Sequence, residues 1–468
     1  MKTLKTRIEK DVFGDISIPI NHYWGSNTQR SLEHFSIGTE LMPREFIYMY
    51  ALFKACTAKA NHHLGLLNKS MMTSIVSACD DILQGKYNDE FPLHIWQTGS
   101  GTQTNMNVNE VIANICNKKL TGKLGTKTPI HPNNHVNMSQ SSNDSFISVI
   151  HVFVSVYIQQ HTLPAIQYLH DALKVKSKEF HSIIKIGRTH LQDAVPITFG
   201  QEFSGYVGII QDSMSQLEKS LSHLHQLAVG GTAVGTGLNS VPEFGPTVCS
   251  YLESKTKIKF ISAPNKFSEM SSHNALLEVS NALKVLATNI SKIANDIRLM
   301  GSGPKAGFYE LKLPQNEPGS SIMPGKVNPT QCEAAIMASV QVIANNLAIT
   351  IANTGGQFEL NAYNPLMLLN ITQSMRLMTD VCTNLTKFCI HGLKVNRDIV
   401  QQKLDSSLTL ATALNKHIGY DKATTLVHYA YDHGITLQEA NQKLKYVSDA
   451  DLKKFLDPRK MIHTRRKK

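Results

Sequence analysis

Four polar stretches of this chain combine residue types that could bind a small anion and act on it. They are TGSGTQTNMNVNE (98–110), HPNNHVNMSQSSND (131–144), GRTHLQDAVP (187–196) and GSSIMPGKVNP (319–329). Hydroxyl and amide side chains together with one lysine offer many hydrogen-bond donors and few acceptors, which suits a dicarboxylate or a phosphate. Each stretch lies at a predicted helix end or in a connection, where free backbone N–H groups add further donors. One such stretch alone is better explained as a turn with capping residues, whereas four in one chain favour a binding site.

Other motifs of the sequence point away from cofactors. GGTAVGTGLN (230–239) resembles a glycine-rich phosphate loop, but it follows a predicted helix and no βαβ unit surrounds it, so a dinucleotide site is not predicted. His131 and His135 are four residues apart, but Pro132 and two asparagines disfavour a helical metal pair, and no third ligand is suggested. The cysteines are dispersed without a C-x-x-C pair, which predicts reduced thiols. We therefore expect neither a metal nor an organic cofactor.

Long helices must position the polar stretches. Apolar residues recur at spacings of three and four in five segments, 150–158, 199–226, 270–302, 331–352 and 371–389. Such spacing predicts long helices packed nearly parallel, so the expected fold class is all-α with a central long five-helix bundle. Helices that are apolar on several sides often bury their remaining faces against other subunits, and an oligomer is therefore expected.

The character of the sequence changes on either side of this bundle. We predict a mostly helical N-terminal domain (1–140), the central helix-bundle domain (141–393) and a small helical C-terminal domain (394–468) that ends in a basic tail, HTRRKK. The chain has 468 residues, of which 42% are hydrophobic, which is enough for a large core and several domains.

Composition limits the possible partners. The formal net charge is +11, but part of the excess lies in the tail, no helix concentrates lysine and arginine on one face, and no nucleic-acid-reading motif occurs. The positive balance suits a small anionic substrate instead, because it raises the local concentration of anions. No apolar run reaches the roughly 20 residues that span a bilayer, and the charged N-terminus lacks a secretory signal. We expect a cytoplasmic protein without nucleic-acid or membrane partners.

The polar stretches also resemble a known family. GSSIMPGKVNP is similar to the signature of the fumarase/aspartase superfamily, whose members add or eliminate a group across a carbon–carbon bond next to a carboxylate. The other three stretches and TQCEA (330–334) look like those of class II fumarate hydratases specifically. YWGSNTQRSLEHF (23–35) and LNKHIGYDKA (414–423) extend the resemblance over essentially the whole chain.

This resemblance implies a fold, an assembly and a reaction. The fold would be an all-α homotetramer in which the bundles of four subunits form a common core. Each active site would be assembled from three chains, which would explain why the polar stretches lie far apart in sequence. The reaction would be the reversible hydration of fumarate to (S)-malate, a step of the citric acid cycle, without a metal or organic cofactor.

The resemblance also implies roles for individual residues. Ser320 would be the general base that removes the C3 proton of malate, with loop N–H groups and Lys326 stabilising its alkoxide. Lys326 and Asn328 would hold the carbanion as an aci-carboxylate, where each donor is typically worth on the order of 10²–10³ in rate. His190 would handle the departing hydroxyl through a water, with Glu333 orienting its imidazole. Gly319 and Gly325 would let the loop close as a lid.

The remaining matched positions would bind substrate. The full set of implied substrate-binding residues is Ser100, Gly101, Thr102, Ser141, Ser142, Asn143, Thr189, Ser321, Lys326, Val327 and Asn328. Several of these residues also suit simpler structural roles, since Thr102 and Asn143 could cap helices and Glu333 could be a carboxylate at a helix N-terminus.

A second dicarboxylate site is implied at His131, Asn133 and Asn134. Related fumarases usually have an aspartate where this chain has Asn134, so the charge is lost and donors are gained. Our hypothesis is that anion binding at this second site is altered while catalysis is retained.

Two alternative functions remain open. An aspartate ammonia-lyase, or another lyase of the superfamily, is the nearest one, although GTQTNMN and TQCEA favour the fumarase branch. A non-catalytic structural protein is the more distant alternative. The presence of Ser320, Lys326, His190 and Glu333 argues against it, because a protein without activity would tolerate their loss.

Overall fold

The computed structural model describes residues 5–462, so the predicted basic tail (463–468) lies outside the described residues. Helices dominate the described chain, which confirms the all-α prediction. The α-helices are α1 (Ser26–His34), α2 (Arg44–His63), α3 (Lys69–Leu83), α4 (Thr102–Thr121), α5 (Ser142–Tyr157), α6 (Leu163–Glu179), α7 (Phe199–Leu224), α8 (Phe244–Thr256), α9 (Lys266–Ser271), α10 (Asn274–Met300), α11 (Thr330–Asn353), α12 (Asn364–Leu385), α13 (Arg397–Ser406), α14 (Asn415–Ile418), α15 (Tyr420–His433), α16 (Leu437–Leu444) and α17 (Asp449–Phe455).

Short π and 3₁₀ turns and small β-ribbons connect these helices. The π turns are Pro132–Val136, Ile158–Thr162 and Thr386–Ile390, and the 3₁₀ turns are Asn88–Glu90, Leu408–Leu414 and Pro458–Lys460. The strands are β1 (Thr6–Asp11), β2 (Gly14–Pro19), β3 (Ile184–Thr189), β4 (Gln192–Thr198), β5 (Gln226–Leu227), β6 (Ile261–Ser262), β7 (Leu311–Lys312), β8 (Gly356–Gln357), β9 (Leu360–Asn361) and β10 (Lys394–Val395). They pair two by two: β5 with β6 in parallel, and β1 with β2, β3 with β4, β7 with β10 and β8 with β9 antiparallel.

The chain divides into two compact units. The first unit consists of Met1–Pro164, Ser215–Ala287 and Ser339–Thr379, and the second unit of Ala165–Met214, Thr288–Ala338 and Asp380–Lys468. These units are defined by contacts in space, whereas the three predicted domains are continuous stretches of sequence. The three-domain division therefore stays a prediction.

The five long helices form where the apolar spacing predicted them. In α10, Leu276, Leu283 and Ile290 are completely buried, and the other members of the three-four pattern are buried with them. Each such side chain contributes about 1.5–3 kcal/mol when it leaves water. The segment that begins with α5 continues through the π turn Ile158–Thr162 into α6.

Helix α11 combines polar anchors with an exposed apolar stripe. In the first unit, Asn346 Nδ2 donates to Ser280 Oγ of α10 (2.9 Å), and Asn345 Nδ2 donates to Gln373 Oε1 of α12 (2.9 Å). The opposite stripe, Met337, Val340, Ile343, Leu347 and Ile351, is 39–68% exposed in the single chain. Both α11 and the run Ser142–Glu179 are long and apolar enough to span a membrane, but core helices of soluble proteins pass the same test.

An N-terminal β-hairpin was not predicted from the sequence. Strands β1 and β2 pair over their whole length, and Asp11 Oδ1 accepts from Phe13 N (2.9 Å) in the connecting turn. Gly14 ends the turn with φ +106°, a conformation that favours glycine. Alternation is confined to β2, where Ile16 and Ile18 are buried, so the period-two signal was short.

Candidate active site

The starts of α4 and α5 lie side by side and carry a chain of hydroxyl groups. Ser100 Oγ lies 2.8 Å from Thr102 Oγ1, and Thr102 Oγ1 lies 2.7 Å from Ser142 Oγ. Gly101 makes this approach possible, because its φ is +74° and an added Cβ would lie 2.3 Å from the Phe146 ring of α5. The free N–H groups of two helix N-termini therefore accompany three hydroxyls. This arrangement brings together residues 40 positions apart, as an anion site requires.

The first turn of α5 is fixed by a buried carboxylate. Asp144 Oδ1 accepts from Ser141 N (2.9 Å), and Asp144 Oδ2 accepts from Gly230 N (3.0 Å) and Thr232 N (2.9 Å). Burial raises the pKa of Asp144 to about 6, although the three N–H donors oppose the shift. Asn143 Nδ2 adds a bond to the carbonyl of Ala233 (2.8 Å).

GGTAVGTGLN therefore packs against this helix start. A two-residue strand, β5, precedes this loop, and the sequence did not predict that strand. Asp144 and Gly230 were also missed as parts of the site, although Asp144 stands three residues after Ser141, the spacing of a capping box.

The implied second dicarboxylate site lies at the π turn Pro132–Val136, which begins directly after His131. His131 Nδ1 accepts from Asn133 N (3.0 Å) and Asn134 N (3.2 Å). Burial, followed by the nearby Lys127 and His135, lowers the pKa of His131, so its neutral form is favoured. Asn133 and Asn134 are both exposed in the single chain.

His190 lies at the tip of the β3–β4 hairpin in the second unit. Thr189 pairs with Gln192, and the two residues between them, His190 and Leu191, have φ +55° and +60°. Two successive positive φ angles define the tight type I′ turn that suits a two-residue hairpin. His190 is consequently exposed, while the turn limits the directions its ring can take.

A buried charge network supports this hairpin. Glu310, whose side chain is 2% exposed, accepts from Arg188 Nη1 (3.0 Å) and also contacts Arg188 Nη2. Lys185 Nζ lies 3.3 Å from Glu310 and 2.9 Å from Glu202, and Lys403 Nζ lies 3.7 Å from Glu310. Burial would raise the pKa of Glu310, but the bond to Arg188 and the charges of the cations lower it overall, so the carboxylate is ionised.

The loop that carries Ser320 is closed by its own hydrogen bonds. Ser320 Oγ accepts from Ile322 N (3.2 Å) and Met323 N (3.0 Å), and these are donors of the kind an alkoxide needs. Asn328 Nδ2 donates to the carbonyl of Gly319 (2.5 Å), and Thr330 contacts Glu317. A Cβ on Gly319 would lie 1.9 Å from the Lys326 carbonyl, so only glycine fits this closure.

A cavity of about 810 Å³ in the second unit runs beneath this loop. Its lining includes Lys326, Val327 and Asn328 together with Arg298 and Lys312, and it contains no carboxylate among the residues that line it. The surrounding potential therefore suits an anion. Arg298 and Lys312 were not identified from the sequence, since neither lies in a polar stretch.

Three implied residues of the Ser320 loop and of α11 are exposed in the single chain. Ser321, Lys326 and Glu333 are exposed, and Glu333 N donates to the Pro329 carbonyl (3.0 Å) in the first turn of α11. Within residues 5–462, no hydrogen bond or ion pair joins His190 to Glu333. The described chain thus brings together Ser100, Thr102 and Ser142 in one unit and closes the Ser320 loop in the other.

Known proteins are similar to this chain in sequence and in fold. The lyase family matches residues 14–344, and the fumarase C C-terminal family matches residues 410–463. The class II fumarate hydratase of Helicobacter pylori (strain ATCC 700392 / 26695) is 50% identical over 98% of this chain and 99% of that protein. The mitochondrial fumarate hydratase of Rattus norvegicus is 48% identical over 97% of this chain and 90% of that protein. A crystal structure of recombinant class II fumarase from Schistosoma mansoni has a TM-score of 0.95 and 39% identity, with 98% of this chain and 99% of that chain covered.

The family match over residues 14–344 shows that the chain is a lyase, in agreement with the resemblance of its polar stretches to the fumarase/aspartase superfamily. The two family matches together cover residues 14–344 and 410–463, which include all four polar stretches and the C-terminal helices. The chain belongs to the class II fumarate hydratases.

Proposed function

We propose that this chain catalyses the reversible hydration of fumarate to (S)-malate by anti addition and elimination of water. The observation that carries the proposal is the hydroxyl chain Ser100–Thr102–Ser142 at two adjacent helix N-termini, a built site for carboxylate oxygens. The near full-length identity to class II fumarate hydratases supports the same substrate.

Ser320 is the proposed base for the C3 proton of malate. Its Oγ already accepts two backbone N–H groups, which would stabilise the alkoxide, and Lys326 adds positive charge on the same loop. As the proton leaves, negative charge moves onto the adjacent carboxylate and forms an aci-carboxylate. Lys326 and Asn328 would stabilise that charge, which develops only in the transition state and therefore raises kcat.

His190 is the proposed acid for the departing hydroxyl. It would act through a water, and Glu333 would charge and orient its ring. Thr189, Ser321 and Val327 would complete the binding of the substrate carboxylates, together with Gly101, Ser141 and Asn143 of the first unit. His131, Asn133 and Asn134 would form a second dicarboxylate site.

The proposed assembly is a homotetramer whose active sites are shared by three chains. The exposed apolar stripe of α11 supports it, because a face of this kind needs cover from another apolar surface. The first unit supplies hydroxyl donors without a candidate base, and the second supplies Ser320 and Lys326. A class II fumarate hydratase of this kind would need no cofactor and would serve the citric acid cycle in the cytoplasm, although the mammalian relatives are named mitochondrial.

Subunit mixing tests the shared site. Ser142→Ala and Ser320→Ala should each abolish most turnover as pure proteins. Co-refolding the two variants in equal amounts should restore about a quarter of the wild-type activity if the residues come from different chains. The chain that supplies Ser142 is intact at that position in half of the sites, and the chain that supplies Ser320 is independently intact in half of them. Recovery of no activity, with tetramers confirmed by analytical ultracentrifugation, would contradict shared sites.

The function itself is tested with two substrates. Incubation with malate should produce the ultraviolet absorbance of fumarate, and incubation with aspartate should not. Product from aspartate alone would establish the aspartate ammonia-lyase alternative, and no product from either would favour a non-catalytic structural protein. Ser320→Ala should lose turnover with the assembly intact, whereas full activity of this variant would refute Ser320 as the base.

A further inference from the structure

A lysine is completely buried beneath the first unit's polar stretches. Lys54 lies in the middle of α2 and is 0% exposed. Its Nζ donates to Asn137 Oδ1 (3.0 Å) and to Gln140 Oε1 (2.9 Å), and it lies 5.4 Å from the centre of the Tyr50 ring. In the described part of the chain, no carboxylate forms an ion pair with this ammonium group. A buried ammonium group without such a partner is costly unless hydrogen bonds compensate the lost solvation.

Lys54 is the charged centre of an amide network. Asn137 Oδ1, which accepts from Lys54, also accepts from Asn105 Nδ2 and Asn109 Nδ2 of α4 (3.1 Å each). Asn137 Nδ2 donates to the Gln140 carbonyl (3.2 Å). Three donors thus converge on one amide oxygen, and the ammonium group is the strongest of them.

This network holds the segment between the two anion sites. Residues 137–141 connect the His131–Asn134 turn to the start of α5, where Ser141, Ser142 and Asn143 lie. Lys54 fixes the side chains of this segment, and Asp144 fixes its end by accepting from Ser141 N. Two buried groups of opposite charge therefore hold one short connection from two sides.

The protonation state of Lys54 is expected to change near neutral pH. Burial lowers the pKa of Lys54 to about 7, while the nearby Asp144 of α5 and Cys79 of α3 oppose the shift. Tyr50 on α2 and the amides of Asn137 and Gln140 are its other polar neighbours. A neutral amine donates weaker hydrogen bonds than an ammonium group. The hydrogen bonds from Lys54 to Asn137 and Gln140 should therefore weaken as the pH rises.

We propose that Lys54 is a positioning residue for the proposed hydration, whose ammonium group holds residues 137–141 and through them orients both the α5 donors and the second dicarboxylate site. The inference rests on the proposed function and deepens it. It assigns regulation of dicarboxylate binding by pH to a residue that touches no substrate.

Steady-state kinetics with malate between pH 6 and 9 test this role. Lys54→Met removes the charge at similar volume, and Lys59→Met removes one charge from the less buried side of the same helix as a control. Loss of one charge-assisted hydrogen bond corresponds to about a tenfold rise in KM at pH 6, with a smaller change in kcat. The wild-type KM should rise as the pH passes about 7, and Lys54→Met should lack that rise.

Gln140→Glu supplies a second measurement that does not depend on Lys54→Met folding. It places a carboxylate where an amide oxygen now lies 2.9 Å from Lys54 Nζ, which should raise the pKa of Lys54 and move the rise in KM to higher pH. Suppose that the wild type is active. If Lys54→Met then has the same KM and pH profile as Lys59→Met, or if Gln140→Glu leaves the pH profile of KM unchanged, this inference alone is overturned. A wild type that forms no fumarate from malate would refute the proposed function and this inference with it.

Discussion

Replacing Glu310 by glutamine tests whether a buried carboxylate holds the hairpin that carries His190. The substitution keeps the size of the side chain and removes its charge. Glu310 is 2% exposed, Lys185 is 3% exposed and Arg188 is 15% exposed, so little solvent screens these charges. In Glu310→Gln, Glu202 would be the one carboxylate still paired with Lys185 among the described residues, and Arg188 would lose both of its bonds to a charged acceptor.

The expected loss is large for a single substitution. Removing one partner of a buried ion pair typically costs about 3–5 kcal/mol, because the remaining charges are left without compensation. Arg188 and Lys403 are partly exposed, so solvent screens their charges in part. We therefore expect a loss in the free energy of unfolding near the lower end of this range, about 3 kcal/mol. Arg188 precedes His190 by two residues, so kcat should fall as the hairpin loosens, whereas KM should change less.

The pH dependence of this loss provides an internal check. The pKa of Glu310 is lowered in the folded protein, so its stabilising contribution is complete above the unfolded-state pKa. That contribution is lost as the pH falls through the folded-state pKa. The stability difference between wild type and Glu310→Gln should therefore be largest near neutral pH and shrink in acid.

Chemical denaturation followed by circular dichroism measures the loss, and hydrogen exchange of the β3–β4 amides localises it. Glu218→Gln, on the exposed face of α7, changes the net charge equally and should remain within about 0.5 kcal/mol of wild type. A Glu310→Gln variant as stable as this control, with unchanged exchange in the hairpin, would refute the view that the network holds His190 in place.

Three further perturbations have direct expectations. Gly101→Ala should raise the KM for malate, because its Cβ would meet the Phe146 ring at 2.3 Å and separate the starts of α4 and α5; an unchanged KM would contradict the role of this close approach. Asn134→Asp should change malate affinity at the second site in an equilibrium titration while kcat is retained, and an unchanged affinity would refute our hypothesis about this position. Leu347→Glu places a charge in the 61% exposed position of the α11 stripe and should shift the mass measured by ultracentrifugation toward smaller species.

Periodicity identified the long helices because their burial is repetitive. In α10 the same three-four spacing recurs over seven turns, so the local pattern and the core agree. The polar stretches were equally visible, since hydroxyl, amide and glycine residues interrupt the apolar pattern. The structure then placed Ser100, Thr102 and Ser142 within hydrogen-bond distance of one another, as a common site requires.

The supports of these stretches were not visible in the sequence. Lys54 stands in α2, 83 residues before its partner Asn137, and nothing local marks it as more than one lysine among many. Glu310 lies 122 residues after Arg188 in a connection without periodicity. Partners at such distances are set by the packing of whole elements, which a single sequence does not report.

In both units, buried charged side chains hold the segments that carry the proposed functional residues. A segment that must present donors to a substrate cannot be held by apolar burial of its own side chains, because those side chains have to remain accessible. It can be held from beneath by buried charges that bond its backbone or its neighbouring side chains. Asp144 and Lys54 do this for the start of α5, and Glu310 does it through Arg188 for the hairpin of His190. At Asp144, Lys54 and Glu310, buried charge therefore supports segments with proposed chemistry, where orientation matters more than the stability that an apolar replacement would add.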